Sequence, residues 1–518
     1  MQTIMDLIER SFLLHKSRVA IRIYDNLWTY NDLQDLSSHI ASFLLKSGIK
    51  RGDRVVVLMN KSIYLYATII GIMQAGGVYV PLDTRTPSLR LARILEDIVP
   101  FYVFIDHHSA RHYQGCRGLL KNQFEVLYFD DCEDGLYKRI NFGEESIKNK
   151  EGFPPHSSED LALILHTSGS TGVPKGVMIS HGNLYNIMSY TIKAFDYGPQ
   201  EVGSALNASS FDMSMTDMFS VLCSGGTLGV YPEEIIFPKD ILDLTYKYGI
   251  TKMCLVPSSL SSLVNSNLIQ PDLLSGLKDV FLIGELIPAN TLFTIMDMLP
   301  NTRFHNWYGP AETTNYNSKH TFSKRLNRRA TNFSIGFPIA GSKFILDRTG
   351  FENEKRKGEL LVAGPQVGLG YWNDSEKTQI AFGVNDRGER YYRTGDIASF
   401  NPKVGYFIHG RKDHQIKFKG YRIELGEIEH ILSLLPIVKE NVVIPIYENG
   451  QVGKLRLIYS AEGDCEKEIR RHLIKNLPSY MIPKSMIRVE GLPKNQNNKI
   501  DRVMIKDMYG GNGHIPQK

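Results

Sequence analysis

The chain has 518 residues, too long for one simple core, so at least two structural units are expected. Hydrophobic residues make up 42% and charged residues 22%, a balance that excludes disordered and fibrous classes. The net charge of +5 sits in the C-terminal part: from position 414 onward 17 Lys and Arg face 12 Asp and Glu, an excess equal to that of the whole chain. Such a basic unit suits an anionic partner such as a nucleotide, pyrophosphate or an acidic carrier protein, and equally a solvated surface with no partner. No Lys/Arg-rich run with interleaved aromatics points to nucleic acid.

In chain order, the opening MQTIMDLIERSFLLHKSR lacks the basic start, apolar middle and small-residue site of a secretory signal. RVVVLM (54–59) reads as a strand and Lys61 to Gln74 as a helix. The apolar run from Tyr64 to Leu82 reaches transmembrane length. Gln74 and the Gly76–Gly77 pair interrupt it, which predicts a buried helix, a glycine break and the core strand VYVPLD (78–83). LALILHT (161–167), KMCLVPS (252–258) and DVFLIGE (279–285) are continuous apolar runs, as strands covered on both faces require. This rhythm predicts an α/β fold with parallel-rich sheets flanked by helices. After GRKDHQ (410–415) a helix near Leu425–Leu435 and the strands ENVVIPIY (440–447) and LRLIYS (455–460) predict a small C-terminal α+β lid. The division expected is a large unit over 1–411 and a mobile lid over 412–518. The tail from Met508 reads as unstructured. The five cysteines form no C-x-x-C pair or metal-ligand spacing, which predicts reduced thiols and a cytoplasmic location.

The strongest local signal runs from His166 to Val177, HTSGSTGVPKGV, directly after an apolar strand. Glycines and small hydroxyl residues let backbone N–H groups and hydroxyls converge on phosphate oxygens. Lys175 adds a mobile point charge. The Walker spacing G-x-x-x-x-G-K-[ST] is absent.

Together with its neighbours this segment resembles the AMP-forming synthetase superfamily, which includes acyl-CoA synthetases, luciferase and the adenylation domains of nonribosomal peptide synthesis. WTYNDL (28–33), YVPLD (79–83), TSGSTGVPKG (167–176), FDMS (211–214), YGPAETT (308–314), GELLVAGPQVGLGYW (358–372), YRTGD (392–396), GRKDHQIKFKGYRIELGEIE (410–429) and NNKIDR (497–502) occur in the family's order. The resemblance implies an ATP- and Mg²⁺-dependent enzyme that joins a carboxylate to AMP and releases pyrophosphate. Such chemistry depends on positioning and cations and needs no protein nucleophile.

It also implies roles for particular residues. Thr167, Ser168, Gly169, Ser170, Thr171, Gly172 and Lys175 hold phosphates, and Glu312 holds Mg²⁺. Tyr308 packs near the adenine and Asn306 bonds it. Asp396, read as lying in a turn after a strand, accepts the ribose hydroxyls, with Arg411 beside it. Lys499, in a polar turn, bridges the acyl carboxylate and the α-phosphate. Lys412 and Asp413 form the hinge about which the lid moves between two steps, and Lys419–Gly420 approach the pantetheine tunnel in the second. Ala311 departs from the usual Thr, removing one hydroxyl to phosphate, and the usual N-G-K is here Asn498–Lys499 preceded by Asn497.

Asp212 stands where amino-acid-activating members pair the substrate ammonium. Met213, Thr216, Cys254, Phe281, Ile283, Trp307, Asn315 and Tyr316 line the rest, and Phe281, Trp307 and Tyr316 leave little volume. This implies a small neutral amino acid, transferred to the phosphopantetheine thiol of a separate carrier protein, since no carrier domain follows NNKIDR. Alternatives are an acyl- or aryl-CoA ligase and a catalytically silent nucleotide-binding protein. The sequence leaves open which amino acid, which enantiomer, which carrier and what oligomeric state.

Overall fold

The computed structural model describes residues 2–128, 138–139, 152–169, 174–323, 327–330, 332–351, 356–413, 415–448, 451–463, 465–494 and 500–511. Two mixed sheets form the bulk of the large unit. The first runs Gly370–Tyr371, Lys175–Ser180, Leu161–Thr167, Val78–Pro81, Arg54–Leu58, Tyr102–Ile105, Val126–Tyr128 and Lys138–Arg139. It is parallel from Leu161–Thr167 onward and antiparallel between the first three strands. The second orders Phe337–Pro338, Ser318–Thr321, Arg303–Tyr308, Asp279–Ile283, Lys252–Leu255, Val202–Ala205, Thr227–Val230, Val19–Ile23 and Asn26–Thr29. Its central six strands are parallel.

The long apolar run folds as its interruptions predict. The helix Ile63–Gln74 is buried along almost all its length because it lies inside the core cluster rather than at the surface. Gly76 takes φ +80 and the strand Val78–Pro81 follows. No helix among the described residues is long and apolar enough to cross a membrane.

A third, antiparallel sheet joins Lys343–Asp347, Lys357–Ala363, Arg390–Asn401, Phe382–Val384 and Gly405–Arg411. It corrects the reading of Asp396, which lies within the strand Arg390–Asn401 and not in a turn after one. Gly395, at φ +72, kinks that strand in the space beside Arg411, where a Cβ would stand 2.7 Å from Nη2. Asp396 is thereby paired in register with Arg411. The glycine that looked like a turn signal is a bend inside a ladder.

The last part of the chain holds the hairpin Gln415–Phe418/Tyr421–Glu424, the helix Leu425–Ser433, and a sheet of Val438–Glu448, Gln451–Ala461 and Ser485–Val489 with its own core. The helix Arg502–Tyr509 follows, capped by the Asp501 carboxylate, which accepts from the Val503 and Met504 N–H groups. Met508 and Tyr509 are therefore helical, which corrects the unstructured tail at its start. Cys116, Cys223 and Cys254 are buried free thiols, Cys465 is buried, and Cys132 lies outside the described residues.

Candidate active site

Side chains alternate along Arg303–Tyr308, so this one strand serves two compartments. Asn306 and Tyr308 project to one side and Trp307 to the other.

On the first side the Tyr308 hydroxyl donates to Asp396 Oδ2 at 2.6 Å, and Arg411 Nη1 donates to Asp396 Oδ1 at 2.8 Å. Arg411 also grips both oxygens of Asp413, each at 2.7 Å. The Lys412 N–H donates to the Gly395 carbonyl at 2.8 Å, so both residues expected as a hinge are tied to the core in this pose. Asn306 Nδ2 donates to the Ser334 carbonyl at 3.0 Å. Lys417 of the hairpin stands 5.6 Å from the Tyr308 ring centroid. Burial lowers the Lys417 ammonium below its ordinary range, with Asp396 and Asp212 opposing that shift.

The expected phosphate loop joins two antiparallel strands, with Thr167 paired to Lys175. Thr167, Ser168, Gly169 and Lys175 are described; Ser170, Thr171 and Gly172 lie outside the described residues. Glu312, fully buried, accepts from the Tyr371 hydroxyl at 2.8 Å and from Arg422 Nη1 at 2.7 Å. Burial alone would raise its pKa, but Arg422 and Lys175 outweigh burial and hold it below the usual range. A single buried carboxylate beside the expected phosphate loop fits Mg²⁺, which takes one or two carboxylates together with phosphate oxygens and water.

Behind Glu312 the chain doubles back. Thr314 and Asn315 adopt φ +56 and +82, and a Cβ at Gly309 would lie 2.2 Å from the Asn315 carbonyl. A β-branched residue at positive φ is strained. Here the Thr314 hydroxyl, donating to the Gln366 carbonyl at 2.7 Å, helps fix it. The turn delivers Asn315 and Tyr316 to the far side of the strand.

That far side holds the expected substrate residues together. Trp307 is sandwiched between Phe281, 4.1 Å between centroids, and Tyr316, 3.9 Å and nearly parallel. Met213, Thr216, Cys254 and Ile283 are buried around them. Asp212 precedes the helix Met213–Leu222 but its side chain forms no cap there; its own φ and ψ are helical. Burial pushes its carboxyl up to about 6, with Lys417 offsetting part of the effect. Asn315 Nδ2 donates to Thr216 Oγ1 and, at 3.3 Å, to the Asp212 carbonyl. The indole Nε1 of Trp307 and Oδ1 of Asn315 are buried without a partner among the described residues.

Lys499 lies outside the described residues; Lys494 and Ile500, on either side of it, pair across an antiparallel bridge. Reading the sequence missed Arg422, Glu424 and Glu427, which reach from the lid to Glu312, Lys175 and Gly169. For Arg422 and Glu424 the signal was the alternation of charge along KFKGYRIE within a segment taken as hinge and tunnel.

Direct comparison agrees with the fold. The chain belongs to the AMP-binding enzyme family, whose model matches residues 8–372, while that of the AMP-binding enzyme C-terminal domain matches 427–499. It is thus an adenylate-forming ligase. It is 33% identical to the L-proline–[L-prolyl-carrier protein] ligase of Streptomyces coelicolor, over 94% of this chain and 93% of that protein. It is 30% identical to gramicidin S synthase 2 of Brevibacillus brevis, over 97% of this chain but only 11% of that protein. Its fold matches the Vibrio cholerae adenylation domain AlmE, solved with glycyl-adenosine-5'-phosphate, with a TM-score of 0.84 at 22% identity and 97% coverage of each chain.

Proposed function

We propose that the protein uses ATP to convert a small neutral amino acid to its aminoacyl-AMP, then passes it to the phosphopantetheine thiol of a separate carrier protein. The observation that carries the amino-acid reading is Asp212. A half-buried carboxylate at a helix start, making no cap and held near a pKa of about 6, gains most from a substrate ammonium. A fatty or aryl acid supplies no such partner. The stacked Phe281, Trp307 and Tyr316 leave room for a short side chain. The unpartnered donor on Trp307 and acceptor on Asn315 favour one bearing a hydroxyl or amide.

On the nucleotide side, Asp396 and Arg411 serve the ribose, Tyr308 and Asn306 the adenine, and residues 167–175 the phosphates. Glu312 would hold Mg²⁺, which when bound offsets phosphate charge. Lys499 bridges the two anions. The lid over 412–518 turns about Lys412–Asp413. A cavity of about 350 Å³ between core and lid supports the thiol step. Its lining includes Lys419 and Lys484, cations that suit a phosphorylated arm, together with Arg85 paired to Asp83 and Arg90 paired to Glu427. The relative named as a prolyl-carrier-protein ligase supports the same acceptor class, and a cytoplasmic location follows from this reading.

The test is ATP–pyrophosphate exchange with the twenty amino acids, D-alanine, and fatty and aryl acids. Exchange with one small amino acid supports the proposal. Exchange with fatty or aryl acids alone would transfer the reading to an acyl- or aryl-CoA ligase.

A further inference from the structure

The rings on the substrate side extend beyond the three of the expected pocket wall. Phe281 also stacks on His305, with centroids 5.0 Å and planes 22° apart. The column therefore runs Tyr316, Trp307, Phe281, His305. Phe195 braces its flank, edge-on to Phe281 at 4.9 Å and to His305 at 5.0 Å.

Hydrogen bonds pin each end of this column. At one end, Thr191 of the helix His181–Ala194 donates to the Ile187 carbonyl at 2.7 Å. Its one proton is thereby committed, so the Tyr316 hydroxyl, 2.7 Å away, donates to Thr191 Oγ1. Thr191 and Tyr316 are both fully buried. At the other end, His305 Nε2 lies 2.9 Å from Asp279 Oδ1, a carboxylate oxygen that accepts, so the ring proton sits there. Burial lowers the imidazole pKa against the pull of Asp279, and neutral Nδ1 accepts from the Thr321 hydroxyl at 2.9 Å. Asp279 is held in turn by Lys252 at 2.7 Å and by Arg303 at 2.7 and 2.9 Å.

The column needs these anchors. Tyr316 and Trp307 are nearly parallel with centroids only 3.9 Å apart, close to the full overlap that paired rings favour least on their own. A phenol fixed at its backbone alone would slide or tilt away, and the wall would widen. We propose that Thr191 and His305 are positioning residues that set the width of the amino-acid pocket by pinning the two ends of the ring column, and so limit the size of side chain it accepts. This rests on the amino-acid reading of the site. Neither residue stands among those expected to line the pocket, and Thr191 lies 125 positions from the ring it holds.

The experiment measures kcat/KM in ATP–pyrophosphate exchange for alanine, serine, threonine and proline as small substrates, and for leucine and phenylalanine as large ones. The full chain is compared as wild type, Thr191→Val and Thr191→Ser. Thr191→Val keeps the shape and removes the hydroxyl. Its ratio of best small to best large substrate is expected to fall about tenfold, the lower end of what a pocket exerts per methylene. Thr191→Ser restores the bond and should keep the wild-type ratio. A general loss of folded enzyme scales both rates alike and leaves the ratio in place, so the ratio reports pocket width. Thr321→Val, at the other end, should lower it about threefold, as for the loss of one neutral hydrogen bond. A second readout needs no substrate: the near-ultraviolet circular dichroism of the stacked indole and phenol, assigned by its loss in Trp307→Phe, should weaken in Thr191→Val and persist in Thr191→Ser. A ratio and a spectrum both unchanged in Thr191→Val overturn the proposal while the amino-acid reading stands. Exchange by the wild type with fatty or aryl acids alone strikes the amino-acid reading, and the proposal falls with it.

Discussion

The two sides of the strand Arg303–Tyr308 are built from different physics. On the phosphate side the strong contacts are ion pairs that cross from core to lid: Lys175 to Glu424, Arg90 to Glu427, Glu312 to Arg422. On the substrate side they are stacked rings and neutral hydrogen bonds that stay within the core: Phe281, Trp307, Tyr316, and Asn315 to Thr216. Buried ion pairs add little net stability, because desolvation cancels most of the attraction, but they are costly to break on one side alone. They suit an interface whose partners are exchanged. A stack of rings gains by close packing and loses it on any displacement, so it suits a wall that must hold one shape. The proposed use of one lid for successive steps needs both.

The largest expected effect breaks the comparison on the lid side. Lys499→Ala should lower ATP–pyrophosphate exchange by about 10²–10³-fold, the usual loss when one preorganised group facing developing charge is removed. ATP affinity by calorimetry should change little. Equal loss of binding and exchange would mean the lysine serves binding rather than reaction.

Next comes Asp212, the carboxylate expected to meet the substrate ammonium. Asp212→Asn should raise the amino-acid KM by about 10²-fold, as expected when a charged hydrogen bond of about 2–3 kcal/mol is lost. Folding should respond in the opposite direction. Burial raises this carboxyl to about 6. The folded state thus binds the proton more tightly than the unfolded chain, so its contribution to stability falls as pH rises from about 4 to 6. The Asn variant escapes that penalty and should show a higher Tm above pH 6. In the wild type, KM should climb as pH falls through about 6, where the carboxylate takes up its proton. A flat KM between pH 5 and 7 would exclude Asp212 as the ammonium partner.

The substrate wall is tested by Trp307→Phe, which keeps the stack and removes the orphaned indole donor. For a hydroxyl- or amide-bearing substrate, the kcat/KM should fall about 5–20-fold, and for alanine it should hardly move, since the donor is worth about 1–2 kcal/mol. An equal fall for both would assign the indole to packing.

Much of this architecture is legible in the amino-acid sequence. The continuous apolar runs at 161–167 and 279–283 become central strands because burial on both faces leaves no polar period. The substrate-side residues, named from the order of the motifs, lie together in the fold. What is not legible has physical causes. Asp396 is misplaced by sequence reading because a glycine that bends a ladder and a glycine that makes a turn have the same local sequence. Glu424 and Glu427 are passed over because their partners are about 250 positions away, at Lys175 and Gly169, and charge alternation on a hairpin is otherwise the mark of a solvated face. The unpartnered Asn315 oxygen depends on a side-chain direction fixed by two residues at positive φ, which no periodicity encodes.

The smallest effect isolates lid docking. Glu285, in the loop after the strand Asp279–Ile283, accepts from the Gly420 N–H at 2.7 Å through Oε1 and from the Ser258 N–H at 2.9 Å through Oε2. Gly420 is tightly placed there, since a Cβ would lie 2.6 Å from Val256. Glu285→Gln keeps the shape but can satisfy only one of the two N–H donors. Losing one such bond at the hairpin tip should weaken docking by about 1 kcal/mol, or about fivefold. That loss should appear in acyl transfer to free pantetheine, while ATP–pyrophosphate exchange stays unchanged. A variant that slows exchange and transfer alike would place Glu285 in the core's own architecture, and the two sides of the site would then share more than the strand between them.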